Sequence, residues 1–274
     1  SYSEEVIWHF DRLQYSSNGA VSTHIFTALA KVDAMHEYIC TLALDKVVSL
    51  IVLQFHRKFA MEGFAEIDDH ETRLLNLSVL ARSPSSVAIL VDRSHVNGRP
   101  ADGHSARLNP ITLVAQTNKV PLVSMAVIFV GGHDDREALA FARRMSRGTS
   151  VKLNVIRLAT PGDEPEFMNS LDAVAIDKFL HETNFEDGNR NHQVMYVEIP
   201  VNDGIETVAT LRTMVHDYDL MIVGRRFNLD SPQTAGLEES CEIKELGILG
   251  DFLASPDLKC RTSILVVQQQ QHWM

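Results

Sequence analysis

The sequence predicts an α/β protein made of two similar halves, each a doubly wound parallel sheet, with the first half lacking its leading strands. Short apolar, β-branched runs alternate with amphipathic stretches of helical length. The order of elements in the first half repeats the back part of the order in the second. A segment rich in Gly, Pro, Asn and Ser separates them. We therefore assign residues 1–93 to the first half, 94–120 to a linker and 121–274 to the second half.

The second half begins with a buried strand, PLVSMAVIFVGG, and a helix for which Asp134 or Asp135 would be the cap. The elements that follow are the strand VKLNVIRLA, the helix EFMNSLDAVAIDKFLHETNF, the strand QVMYVEIPV, the helix GIETVATLRTMVHD, the strand DLMIVG, the helix GILGDFLAS and the strand TSILVV. Right-handed crossovers between these strands predict a parallel sheet with helices on both faces.

The first half is shorter. Its predicted elements are the helix SEEVIWHFDRLQY, the strand AVSTHIFTA, the helix DAMHEYICTLALDK, the strand VSLIVLQFH, the helix TRLLNLSVLARS and the strand SSVAILVDR. The strand–helix–strand unit that opens the second half has no counterpart in these predicted elements. We expect the sheet to be completed by residues upstream of Ser1 in an intact protein, or to associate through the apolar surface left exposed.

Composition excludes several classes of protein. A net charge of −11 argues against a nucleic-acid partner, because phosphate binding relies on basic patches. Cys40, Cys241 and Cys260 have neither the spacing of a disulfide framework nor that of a zinc site, which predicts a reducing compartment and no metal. The chain has no apolar run of membrane-spanning length. It also lacks nucleophile-elbow, zinc-protease and Walker motifs, so we expect no enzymatic activity.

A candidate ligand cleft lies where two predicted strands of the second half end. Open α/β sheets bind ligands beyond the carboxyl ends of their strands, and glycines there allow a close approach to the backbone. Arginine side chains could contact an anion in such a cleft. The residues assigned to it are Gly131, Gly132, Gly224, Arg225, Arg226 and Gly250.

Several stretches resemble the cytosolic C-terminal region of the plant cation/H+ exchanger family. They are GGHDDREAL, DLMIVGRR, DSPQTAGLEE, ELGILGDFLASPD and ILVVQQQ. The resemblance implies a tandem of universal-stress-protein-like halves, attached to an upstream transmembrane domain of a monovalent cation (K+ or Na+)/proton antiporter. It implies a regulatory role at the cytosolic face of an endomembrane or plasma membrane, with a homodimer in the intact protein. The alternatives are an adenine-nucleotide sensor and a scaffold for partner proteins or sorting.

In universal stress proteins that bind ATP, a glycine-rich loop after the fourth strand holds the phosphates. Here Gly224 opens the loop, but Arg225 and Arg226 fill the turn and roughly twenty residues are inserted before the helix. The loop ends in Gly250-Asp251, and we expect the Asp251 carboxylate to cap the helix in place of a phosphate. Nucleotide binding is therefore possible but not expected, and no cofactor is predicted.

The two arginines allow two interpretations. They contact an anionic ligand, or they pair with acids of the inserted loop, which are Asp230, Glu238, Glu239, Glu242 and Glu245. Twelve histidines, among them His56 and His133, permit a pH-sensing role, although scattered surface histidines explain them as well. Since universal stress proteins dimerise through their last strand, we also expect SSVAILVDR and TSILVVQQQ to pair antiparallel as an intrachain pseudo-dimer.

Overall fold

The computed structural model of the chain describes residues 2–17, 19–59, 65–93, 123–147, 151–162, 170–185, 193–226 and 229–270. The linker predicted at 94–120 lies outside these residues. In the described part, the helices are α1 Tyr2–Ser16, α2 Val32–Asp45, α3 His70–Arg82, α4 His133–Ser146, α5 Leu171–Phe185, α6 Gly204–Met214 and α7 Gly247–Ala254. None of them combines the length and apolar character needed to cross a membrane.

The strands in the same residues are β1 Leu50–Gln54, β2 Arg57–Phe59, β3 Ala65–Asp68, β4 Ser86–Val91, β5 Val123–Phe129, β6 Val151–Ala159, β7 Gln193–Pro200, β8 Leu220–Gly224 and β9 Ser263–Gln268. Seven of them form one sheet in the order β1-β4-β9-β8-β5-β6-β7. All neighbours in it are parallel except β4 and β9. The predicted α/β class is therefore confirmed.

The antiparallel pair β4–β9 joins the two halves into a single sheet. Ile89 lies opposite Val266, and Leu90 lies opposite Leu265. Each half would otherwise end in an unpaired row of backbone groups, and the pairing removes both edges. This confirms the predicted contact between SSVAILVDR and TSILVVQQQ, and it merges the two predicted sheets into one.

Helices cover both faces of this sheet. Alternate residues of β5 enter different apolar layers: Ala126 and Ile128 belong to one layer, and Met125, Val127 and Phe129 belong to the other. The first layer packs against α3, α6 and α7, and the second packs against α4 and α5. A strand buried on both faces explains the uninterrupted apolar run in the sequence.

The predicted strand AVSTHIFTA is wrong. Residues 21–31 have no regular secondary structure, and Ile25, Phe26 and Leu29 are exposed. The matching strand of the second half is β7, which hydrogen-bonds to β6. The described first half contains no counterpart of β6, so the alternating pattern has no neighbouring strand with which to pair.

A short antiparallel pair, β2 with β3, was not predicted. It follows β1 directly, and Asp69 then caps α3 by accepting hydrogen bonds from the backbone N–H groups of Glu71 and Thr72. Strands of three and four residues are too short to give a recognisable alternation. This hairpin places Asp68 close to the end of β1, beside His56.

Candidate functional site

The carboxyl ends of β5 and β8 lie side by side and form the candidate cleft. Strand order reverses here, because β5 has β6 on one side and β8 on the other. Open α/β sheets bind ligands at such a switch point. Gly131 and Gly132 follow β5, Gly224 ends β8, and Arg225 and Arg226 follow it. The structure thus brings these five residues together, whereas Gly250, the sixth residue assigned to the cleft, lies within the helix α7 against Val266.

Asp135, in the first turn of α4, fills the centre of this cleft. Its Oδ2 accepts hydrogen bonds from the backbone N–H groups of Val130 and Gly131, both at 2.8 Å. Its Oδ1 accepts from the Gly224 N–H at 3.0 Å. Burial raises the pKa of the Asp135 carboxyl, and the neighbouring Arg226 guanidinium opposes that rise. One protein carboxylate therefore occupies the N–H donors of both strand ends.

Asp134 makes a second bridge from the same turn. Its Oδ2 accepts the backbone N–H of Arg226 and its Oδ1 accepts that of Gln269, each at 2.8 Å. His133 Nε2 lies 3.4 Å from the same carboxylate and is partly exposed. The prediction that Asp134 or Asp135 caps α4 is wrong, since Gly132 is the cap residue and the two carboxylates bind the ends of β5, β8 and β9 instead.

Arg226 closes the cleft from the β8 side. Its guanidinium donates to the carbonyl of Gly131 and lies 3.4 Å from the Asp135 carboxylate. Its backbone has a φ of +51°, in the left-handed region that non-glycine residues rarely adopt. The contacts that hold this strained residue therefore come from α4 and the end of β5, and not from the acids of the inserted loop.

Arg225 also turns into the protein. Its Nε and Nη2 donate to the Lys244 carbonyl at 3.2 and 2.8 Å, and its Nη1 donates to the Gln268 side chain. Burial lowers the pKa of Arg225, while Asp134 and Glu245 raise it. Of the acids predicted as partners, Glu245 interacts electrostatically with Arg225.

The glycines of the cleft make room for protein groups. A Cβ at Gly224 would stand 2.1 Å from the Asp135 carboxylate, and one at Gly131 would stand 2.7 Å from that of Asp172. A Cβ at Gly250 would stand 2.7 Å from the Val266 side chain. At these positions, the space that glycine leaves is taken by neighbouring side chains of the same chain.

Asp251 does not cap its helix, so that prediction is wrong. Helix α7 starts at Gly247, which places Asp251 in its second turn. The carboxylate accepts the backbone N–H of Glu242 at 2.9 Å and so holds the insert loop, defined here as the described residues 229–246. The helix start packs against the protein instead, since a Cβ at Gly247 would stand 1.9 Å from the Arg225 carbonyl oxygen.

Asp172 was missed by the sequence analysis. It is the second residue of α5, and its Oδ2 accepts the Gly132 N–H at 3.0 Å while its Oδ1 binds Arg136 at 2.5 Å. The pattern Gly-Gly-His-Asp-Asp, with carboxylates directly after a glycine turn, could have indicated Asp134 and Asp135, whereas no local pattern indicates Asp172. Asp134, Asp135 and Asp172 together accept backbone N–H groups of residues 130–132, Gly224, Arg226 and Gln269. Of these residues, Gly224 and Arg226 lie at the end of β8 and in the loop after it, where a phosphate would be held.

No cluster of residues suited to holding a metal ion is found in the part of the chain that the structure describes. The cleft carries carboxylates and guanidinium groups that bind each other and the strand ends. Among the residues described there, no nucleophile is paired with a base.

Comparison with known proteins identifies the family. Residues 122–268 match the family model described as the plant cation/H+ antiporter C-terminal domain, and residues 1–95 match the plant cation/H+ antiporter domain. The chain belongs to the plant cation/H+ antiporter family, and its larger part is the C-terminal domain. This confirms the resemblance drawn from the sequence.

Relatives from Arabidopsis thaliana support this assignment. Cation/H+ antiporter 8 is 40% identical over 274 residues, which cover 98% of this chain and 32% of the relative. Cation/H+ antiporter 3 is 38% identical over 272 residues, which cover 99% of this chain and 32% of the relative. The chain thus spans 32% of the length of each.

Two solved structures are similar to this chain. A universal stress protein in complex with cAMP is 16% identical, covers 54% of this chain and 98% of its own, and has a TM-score of 0.29. A universal stress protein from Archaeoglobus fulgidus DSM 4304 is 12% identical, covers 97% of this chain and 77% of its own, and has a TM-score of 0.44.

Proposed function

We propose that this region is a non-enzymatic regulatory domain of a monovalent cation (K+ or Na+)/proton antiporter. It would act from the cytosolic face of the membrane, through contacts with the upstream transmembrane domain or with a second copy in a homodimer. Membership of the antiporter family supports the parent activity. Backbone N–H groups of the cleft are hydrogen-bonded to carboxylates of the same chain. This supports regulation through protein contacts in preference to catalysis or nucleotide sensing.

The observation that carries this proposal is the closure of the switch point by carboxylates of its own chain. Asp134, Asp135 and Asp172 accept N–H groups of residues 130–132, Gly224 and Arg226. A triphosphate would have to displace these carboxylates and withstand their negative charge. The filled cleft therefore supports a function exerted through the outer surface of the domain.

Regulation of this kind works by differential contact. If the domain binds one conformation of the transmembrane part better than another, it shifts the population toward that conformation. Coupling free energies of about 1–3 kcal/mol change such an equilibrium by roughly 5- to 150-fold. Contacts over a moderate surface are sufficient, and no chemical step is needed in the domain.

The test uses the full-length antiporter in lipid vesicles. Cation-driven proton flux is measured per molecule, with and without the region that corresponds to this chain, after the amount of protein in the membrane has been determined. We expect the rate, or its dependence on cation concentration, to change. An unchanged flux per molecule would contradict regulation and favour a scaffold. A response of the intact protein to added ATP would favour a nucleotide sensor.

A further inference from the structure

A buried histidine and a buried glutamate join the two halves away from the switch-point cleft. His56 lies just after β1, and Glu245 lies in the insert loop just before α7, 189 residues further along the chain. His56 Nδ1 contacts Glu245 Oε1, and the side chains of both residues are 0% exposed. A basic side chain and an acidic side chain are therefore in contact at a position that is not exposed to solvent.

Each partner has one side-chain atom without a hydrogen-bond partner among the described residues, His56 Nε2 and Glu245 Oε2. The carboxylate of Asp68 in β3 lies 3.7 Å from His56 Nε2 and 3.3 Å from Arg57 Nε. Further groups act electrostatically or by hydrogen bonding: Asp69 with His56, and Arg73, Asn76 and Arg225 with Glu245.

The pair is neutral when it holds one titratable proton, as imidazolium with carboxylate or as imidazole with carboxylic acid. Loss of this proton leaves a buried carboxylate without a charged partner in direct contact, and such a charge is costly in a protein interior. Gain of a second proton is less costly, because Asp68 lies beside the ring and is about half exposed. The arrangement is therefore sensitive chiefly to rising pH.

Burial raises the pKa of Glu245, and its interactions with His56, Asn76 and Arg73 only partly oppose that rise. A raised pKa means that the folded chain holds the proton more tightly than the unfolded chain does. The stabilisation is therefore fully present below the glutamate pKa of the unfolded chain. It is lost as pH rises through the raised value in the folded chain.

We propose that His56 and Glu245 form a proton-controlled latch, which holds the insert loop against the first half while the shared proton is present and releases it when the proton leaves. The latch is connected to the cleft, because the carbonyl of Lys244 accepts two hydrogen bonds from Arg225. Movement of residues 243–245 therefore loosens Arg225. This inference goes beyond the proposed function and does not depend on it.

Hydrogen–deuterium exchange of the full 274-residue chain tests the latch. The amides of Glu242 and Leu246 are hydrogen-bonded to Asp251 and Ile243, so they report on closure of the loop. After correction for the intrinsic effect of pH, we expect exchange of these amides to rise at least about tenfold as the pH is raised from mildly acidic to alkaline values and the shared proton leaves. Amides of α4 should show no such rise.

Two variants separate the latch from general effects of pH. In Glu245→Gln the side chain keeps its shape and can still accept from His56, but it cannot ionise. Exchange of the Glu242 and Leu246 amides in this variant should not change with pH. His181→Gln alters an exposed histidine that pairs with Asp177 and should retain the wild-type response. The same pH response in Glu245→Gln as in the wild-type chain would overturn the proposal, as would an absent response in the wild type.

A measurement on the wild-type chain covers the case in which Glu245→Gln does not fold. The carbon-bound ring proton of His56 is followed by NMR across the same pH range, together with the Leu246 amide. We expect both signals to shift over one common pH interval. Shifts over separate intervals, or a ring signal that does not move, would overturn the latch. Neither experiment requires transport, so failure here leaves the proposed regulatory function untouched.

Discussion

The carboxylate of Asp135 accepts a hydrogen bond from the backbone N–H of Gly224, with 3.0 Å between oxygen and nitrogen. These residues belong to α4 and to the end of β8, so a single side chain spans the switch point of the sheet. The same carboxylate also accepts the N–H groups of Val130 and Gly131. The closed state of the cleft therefore depends on an acid that the sequence analysis treated only as a helix cap.

Replacing Asp135 by Asn should destabilise the fold strongly. An amide has one accepting oxygen, and its NH2 group would face either backbone donors or the Arg226 guanidinium. We expect the free energy of unfolding to fall by about 2–4 kcal/mol, measured by urea denaturation. Asp230→Asn, at an exposed position of the insert loop, is the control and should change it by less than about 0.5 kcal/mol. Equal effects of the two substitutions would contradict the bridging role.

Gly224→Ala should be more damaging than Gly236→Ala. The added Cβ at Gly224 would meet Asp135 at 2.1 Å, whereas one at Gly236 would meet nothing within 4 Å and would only strain a backbone φ of +82°. We expect a loss of about 2 kcal/mol or more at Gly224 and about 1 kcal/mol at Gly236. Thermal unfolding of both variants gives the comparison, and a larger loss at Gly236 would contradict the packing described for the cleft.

Arg93 joins the end of β4 to the end of α7, and its removal should destabilise the contact between the halves. The buried guanidinium donates to the carbonyls of Leu253 and Ala254 at 3.0 and 2.9 Å. Arg93→Met should lower the free energy of unfolding by about 3 kcal/mol, because these carbonyls lose their charged donor. Arg261→Met, at an exposed position, serves as the control. A loss below that of the control would show that the halves do not depend on Arg93.

Asp251→Ser should leave nucleotide affinity unchanged, because Asp251 lies in the second turn of α7 and not at its start. The substitution removes the acceptor for the Glu242 N–H and should loosen the insert loop. Faster amide exchange in residues 241–246, with no gain in ATP binding, is the expected result. A gain in ATP affinity would indicate that this carboxylate does compete with a phosphate.

The order of elements in the second half could be predicted from the sequence, because buried parallel strands such as β5, β8 and β9 are continuous apolar runs. The β4–β9 pairing followed from the resemblance to proteins that dimerise through their last strand. Residues 21–31 could not be assigned correctly, since an alternating pattern forms a strand only beside another strand. The pairing of His56 with Glu245 could not be predicted, because 189 residues separate them and no local pattern links them.

The residues of the cleft could also be predicted only in part. The glycines and arginines were identified because they depart from a phosphate-binding loop, but the groups that fill the cleft come from the starts of α4 and α5. Asp172 reaches Gly132 only through the packing of α5 against α4. Such contacts depend on tertiary geometry and leave no spacing in the sequence from which they could be read.

Calorimetric titration of ATP into the wild-type 274-residue chain is the most direct test of whether the switch-point cleft is closed by its own carboxylates. Since Asp135 and Asp134 already occupy the backbone N–H donors of Gly224 and Arg226, we predict no heat of binding that corresponds to a dissociation constant tighter than about 1 mM. ADP and AMP should behave in the same way. A micromolar dissociation constant for any of the three would contradict a closed cleft and identify the domain as a nucleotide sensor.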